Sequence, residues 1–246
     1  MEGTVSHLFK IKVADFIIEI DNKYDFIKRQ CKKYIYEGDG CDIKVFCTEE
    51  QMAKEREFLT EEEFSDGYIE SVCIYRCLCL QLPERDSFVM HAAVIGVGDK
   101  AYAFTAKSGT GKSTHIRQWK SLLGDKVYVV NGDKPILRFI DGKLIAYGTP
   151  WCGKENWNND VAVELDGLCF LERAEENSII PYPQEEAAPR IMKQILIPKD
   201  PLGAIKTLEL VDKMLKCTKL WKLGCNISVE AAEIAYSAMV GGKNEN

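Results

Sequence analysis

The stretch KAYAFTAKSGTGKSTHIRQWKSLLG, residues 100–124, leaves this chain few folds to choose from. An apolar run suited to a buried strand passes through Ser108-Gly109-Thr110-Gly111 into a segment with Ile116, Trp119, Leu122 and Leu123 at helical spacing, and Gly124 is its natural stop. So short a loop sets a helix N-terminus at the end of a strand, where amides without helical partners converge on the turn. That corner suits an anion, because the helix dipole favours negative charge, Lys112 supplies a mobile cation and Ser113 a hydroxyl for Mg²⁺. Ser108, Gly109, Thr110, Gly111, Lys112, Ser113 and Thr114 are therefore the candidate nucleotide-binding residues, with Lys112 also a catalytic candidate. The pattern G-x-x-x-x-G-K-[ST] has its first glycine where this chain has Ala106, the smallest possible addition at a strand end.

Composition narrows the partners. The 246 residues carry a net charge of −6 and no long Lys/Arg run, which argues against nucleic acid. No segment approaches the 18 uninterrupted apolar residues of a membrane span, and no signal-peptide pattern opens the chain, so a cytoplasmic protein is expected. The ten cysteines then read as reduced thiols. Cys73-x3-Cys77-x-Cys79 matches no common zinc or iron–sulfur spacing, and the periodicity predicts a buried helix with Ile69, Val72, Cys73, Arg76, Cys77 and Leu80 on one face. Homo-oligomerisation is left open.

The pattern of elements predicts an α/β (α+β) chain. Residues 1–85 form a small α+β subdomain: strands within 7–20 and 41–47, helical spacing over 24–36, a charged stretch over 49–64, and a helix from Asp66 to Leu82 ended by Pro83. Residues 86–240 form a catalytic domain, and 241–246 a frayed tail. FVMHAAVIGVG (88–98) reads as one strand buried on both faces, KVYVV (126–130) as another, and Asp141-Gly142 joins a hairpin. LCFLE (168–172), helices near 184–197 and 204–216, LWKLGCNI and a helix from Val229 complete the domain.

Asp133, at the end of a buried strand, is a candidate metal ligand with Ser113. His91, on an apolar strand, reads either as a satisfied core residue or as a catalyst. The loop TPWCGKENWNND (149–160) holds Trp151, Lys154, Asn156 and Trp157, and either packs down on its aromatics or serves as a lid that orders only around ligand. Lys154 is its best candidate for a γ-phosphate or acceptor contact. Lys107 reads as a solvated charge, while Glu172-Arg173 points to the same cleft or caps a strand edge.

HAAVIGVGDKAYAFTAKSGTGKSTHIRQW followed by VVNGDKP resembles the catalytic domain of HPr kinase/phosphorylase and its kinase-like relatives, over roughly residues 86–175. More distantly, the loop is similar to that of ATP-dependent phosphoenolpyruvate carboxykinase. The resemblance implies a P-loop core on a mixed sheet, ATP and Mg²⁺ as cofactors, and transfer of the terminal phosphate to a serine of a peptide or small protein. It makes Asp133 the Mg²⁺-directed aspartate and lifts His91 to a catalytic candidate. The family commonly has two adjacent aspartates here; this chain has Gly132-Asp133, so the residue that would accept the hydroxyl proton is missing. No copy of the C-terminal Arg-bearing loop used for phosphorolysis is found, which leaves reverse activity unsupported. A catalytically reduced nucleotide-binding regulatory module is the alternative, and a carboxykinase lacks the arginines that would grip a dicarboxylate.

Overall fold

A computed structural model describes residues 7–58 and 64–241; positions 242–246 of the expected tail and 59–63 of the charged stretch lie outside the described residues. Alternating burial makes β1 (His7–Val13) and β2 (Phe16–Asn22) an antiparallel hairpin, turned by Ala14 and Asp15 at φ 53° and 61°. Neither is glycine, so the turn needs outside support. Arg138 donates to the Ala14 carbonyl at 2.6 Å, and the Tyr147 hydroxyl to Asp15 at 2.6 Å. β3 (Ile43–Phe46) joins parallel to β2. Helices α1 (Asp25–Gln30), α2 (Glu49–Phe58) and α3 (Asp66–Gln81) accompany this sheet, α3 packing on β3, α1 and α2. With several neighbours, α3 buries Ile69, Glu70, Cys73, Ile74, Leu78 and Cys79, and the single face expected from its sequence is corrected: Arg76 and Leu80 are exposed. Of the ten free cysteines, five are buried and two, Cys41 and Cys217, exposed.

The second sheet is mixed and nine-stranded. Its strands are β4 (Ser87–Val89), β5 (Ala93–Val97), β6 (Lys100–Thr105), β7 (Val127–Asn131), β8 (Ile136–Ile140), β9 (Lys143–Tyr147), β10 (Ala162–Arg173), β11 (Ser178–Pro181) and β12 (Lys219–Cys225). Its helices are α4 (Lys112–Leu123), α5 (Gln184–Ile191), α6 (Pro201–Cys217) and α7 (Glu230–Met239). The single strand expected over 88–98 is two. β4 pairs with β8 whereas β5 lies between β6 and β7, so the chain must cross from one neighbour set to another. In the break the amides of Met90, His91 and Ala92 donate to the carbonyls of Pro135, Gln194 and Asp133. His91 therefore sits in a bend rather than on a strand.

The pairing fixes what shares an edge. β6, β10 and β12 run parallel, and β5 runs antiparallel to both β6 and β7, so β7, β6, β10 and β12 all point one way. Their C-terminal ends, together with the N-terminal start of β5, line one edge in the order β7, β5, β6, β10, β12. Ligands of open α/β sheets bind outside such carboxyl ends.

Apolar burial holds this edge rigid from behind. Trp119 and Ile116 of α4 are fully buried against Tyr102 and Phe104 of β6, and Tyr236 of α7 meets Trp119 edge-on at 5.9 Å. Each such side chain contributes on the order of 1.5–3 kcal/mol. The core of the first sheet continues into Val89, Ile136, Tyr147 and Trp151, so the two sheets share apolar contacts. Among the described residues, no helix is long and apolar enough to cross a membrane.

Candidate functional site

The glycine loop leaves β6 at Thr105 and enters α4 at Lys112. Ala106 is 3% exposed and packs its methyl in the core, so the missing first glycine costs the turn nothing. Gly109 and Gly111 take φ of 75° and 125° with open space where a Cβ would stand; backbone conformation, not crowding, requires glycine there. The Lys107 carbonyl closes the turn by accepting from the Thr110 amide and hydroxyl, while the Lys107 side chain is exposed. Ser108 is exposed, and Ser113 and Thr114 are half-buried on the first turn of α4. His115 is the first amide to reach a carbonyl of the loop, that of Gly111, so the amides of Lys112, Ser113 and Thr114 head the helix without i−4 partners.

His91, Lys112 and Asp133 meet beside this loop. His91 Nε2 stands 2.9 Å from Lys112 Nζ and 3.0 Å from Asp133 Oδ1, and Nδ1 is 2.9 Å from Gln194 Oε1. With that amide oxygen accepting from Nδ1–H, the neutral ring offers Nε2 to the Lys112 ammonium; once protonated, Nε2 donates to Asp133. Asn131 fixes the carboxylate from below, its Oδ1 accepting the amides of Asp133 and Lys134 at 2.9 and 2.7 Å. Lys134 Nζ is 3.7 Å from Asp133 Oδ2.

Burial pushes the Asp133 carboxyl up, but the His91 hydrogen bond and the charges of Lys134 and Lys112 outweigh it and hold the group below the usual range. Burial lowers Lys112, with Asp133 opposing, and likewise lowers Lys134. One carboxylate thus serves two lysines, which leaves the loop's surroundings positive and suited to a polyanion. Among the described residues, no group of three His, Cys, Asp or Glu is arranged for a metal. Asp133 is the carboxylate beside Lys112 and His91, and Mg²⁺ commonly takes one or two carboxylates and completes its shell with substrate phosphates.

The loop after β9 is tied down at both ends. Trp151, Cys152 and Asn158 are buried; the Trp151 ring nitrogen donates to Ser71, Lys33 donates to Asn158, and the Trp157 carbonyl accepts from the Gly132 amide at 2.8 Å. Trp157 lies under Arg117 and Lys120. Between these anchors the turn 153–156 exposes Gly153, Lys154 and Asn156 while Glu155 pairs with Arg117 at 3.2 Å, so of the two sequence readings, packing down describes both ends of the segment. Lys154 is exposed on that turn and makes no hydrogen bond or ion pair among the described residues; the adjacent Gly153 abuts Asp133. Gly132 has no room for a side chain, because a Cβ there would lie 2.8 Å from the Cys152 carbonyl oxygen and 3.4 Å from Trp157 Cβ.

Sequence reading missed Lys134 and Gln194. Lys134 stood in plain view after Asp133, whereas Gln194 arrives from beyond α5 with no local signal. The Glu172-Arg173 pair divides: Glu172 holds Arg190 at 2.6 Å, and Arg173 donates to the Gly109 carbonyl at 2.6 Å on the phosphate loop.

No family model matches the chain, and no curated protein matches it. Among solved structures, the HPr(Ser) kinase/phosphatase from Coxiella burnetii aligns with 63% of this chain and 94% of its own length, at 14% identity and a TM-score of 0.33. At that TM-score the likeness assigns no role to any residue, and the chain stands as a mixed α/β protein with a glycine-rich loop between β6 and α4.

Proposed function

We propose that this chain is a Mg-ATP-dependent kinase that transfers the γ-phosphate to a hydroxyl, serine in a peptide or small protein. The observation that carries the reading is that His91 Nε2 stands within 3.0 Å of both Lys112 Nζ and Asp133 Oδ1, beside a glycine loop and a helix N-terminus. The loop and the first amides of α4 bind the triphosphate, and Lys112 leaves His91 to neutralise it. Asp133 and Ser113 would hold Mg²⁺, which would supply neutralisation of the phosphate charge. His91 Nε2, freed from Lys112, takes the acceptor's hydroxyl proton and is then held by Asp133. The acceptor oxygen forms its bond to the γ-phosphorus as the bond to the β–γ bridging oxygen breaks, and ADP departs with that electron pair. Little more is required, since phosphoryl transfer rests mainly on positioning and electrostatics.

A second reading, a nucleotide-binding regulatory module, is favoured by one observation: the position that holds an aspartate in the resembled family is Gly132, sealed by Cys152. Incubation with Mg-ATP and serine-containing peptides, followed by mass spectrometry of peptide and nucleotide, separates the two. A kinase gives phosphopeptide and ADP in equal amounts; nucleotide affinity without product favours the module.

A further inference from the structure

The phosphate loop has a second flank. Opposite His91 and Asp133, on the side of β10 and β12, a cavity of about 370 Å³ is lined by Thr114, His115 and Gln118 of α4, and by Arg173, Cys225 and Asn226 at the strand ends. Its size falls within the range of small-ligand pockets, roughly 300–1,000 Å³. Its lining includes no carboxylate, and its one full charge, Arg173, is engaged by the loop carbonyls. Beneath the wall the His115 ring faces the Gln118 side chain, and Gln118 Nε2 is buried without a hydrogen bond. The two residues are 2% and 6% exposed. The tautomer of His115 is fixed, because Nε2 accepts from Trp119 Nε1 at 2.9 Å and Nδ1 must carry the hydrogen. Burial, against the raising influence of Gln118, pushes this imidazole down to about 4, so the ring is neutral. A buried polar group left unpaired is costly, and a neighbouring cavity offers it a partner.

We propose that this cavity is the base subsite of the nucleotide, and that Gln118 and His115 select adenine over guanine there. The assignment rests on the nucleotide reading above. The order of strand ends supports it: Asp133 and His91 lie on the β7 and β5 side of the loop, the cavity on the β10 and β12 side, and neighbouring strands stand about 4.8 Å apart. A nucleotide laid along this edge has its terminal phosphate at the charged flank and its neutral ring at the uncharged one. A primary amide offers one donor and one acceptor, which match the amino group and ring nitrogen of adenine. The same edge of guanine shows two acceptors, which would oppose the amide oxygen. His115 backs the Gln118 side chain and so sets its orientation.

Two measurements test this on the full chain. In calorimetry with Mg²⁺, ATP binds at least ~10-fold more tightly than GTP or inorganic tripolyphosphate. Gln118→Leu removes the ATP preference and leaves tripolyphosphate affinity unchanged. On the parent protein, site-resolved alkylation by N-ethylmaleimide shows Cys225 shielded by Mg-ATP and not by tripolyphosphate, a readout that stands even if the variant fails to fold. Equal affinities for ATP, GTP and tripolyphosphate, or Cys225 alkylation indifferent to ATP, overturn the subsite while the phosphate reading survives. If neither ATP nor tripolyphosphate binds, both readings fall.

Discussion

The two flanks of the phosphate loop are built to opposite rules. On the β7 and β5 side, charged groups crowd together and bond one another: Asp133 meets His91 and Lys134, and His91 meets Lys112. On the β10 and β12 side there is open volume, and the buried Gln118 Nε2 finds no partner. A site for inorganic phosphate would need only the first flank. A charged cluster that is already satisfied, facing an unsatisfied neutral one across a glycine loop, suits a ligand with an ionic end and an aromatic end. It also implies that binding rearranges the first flank and fills the second.

The largest effect should come from removing the charge that organises the first flank. Asp133→Asn is expected to abolish turnover, because it takes away both the Mg²⁺ ligand and the carboxylate that receives His91; retained turnover, followed as ADP release, would break the account of that flank. His91→Asn should keep nucleotide binding and lower turnover by roughly 10²- to 10⁴-fold, the usual range for loss of a general base. Turnover close to that of the parent would leave Asp133 as both metal ligand and base. A smaller effect is expected at the sealed position. Gly132→Ala forces a methyl against the Cys152 carbonyl and should cost roughly 1–3 kcal/mol of stability, read as a lower Tm, without changing which flank binds what. The smallest effect concerns the loop behind the first flank. In hydrogen exchange, the Gly132 amide should be protected before any ligand is added, and Mg-ATP should alter exchange at 153–156 alone. A change spread over all of 151–158 would restore the lid expected from sequence.

The first flank was the legible one. Lys112 and Ser113 announce themselves because strand, glycine turn and helix start are contiguous; Asp133 follows the next buried strand, and the pairing of β7 through β5 to β6 brings it to the loop. His91 was singled out, yet its setting was misread. An unbroken apolar run looks like one strand, and only the different partners of β4 and β5 split it at Met90–Ala92. With β5 antiparallel to β6, His91 reaches the loop from the start of its strand rather than the end. The second flank was not legible. Arg173, Cys225 and Asn226 come from strands whose parallel pairing no local pattern reveals, and His115 and Gln118 read as polar interruptions of the inward stripe of α4. Packing and lid stayed open for the loop at 149–160 for a related reason, since its anchors, Ser71 and Lys33, lie in the first sheet's region, some 80 and 125 residues away in sequence.

The central claim is that the polyphosphate of a nucleotide is gripped at the start of α4 with Lys112 as its mobile cation. Calorimetric titration of Mg-ATP into the parent and into Lys112→Ala, both shown to be folded by circular dichroism, addresses it most directly. The account predicts binding by the parent and a loss of roughly 10- to 150-fold in the variant, in line with a charged hydrogen bond worth roughly 1.5–3 kcal/mol. Equal affinity of a folded Lys112→Ala protein for Mg-ATP would contradict it.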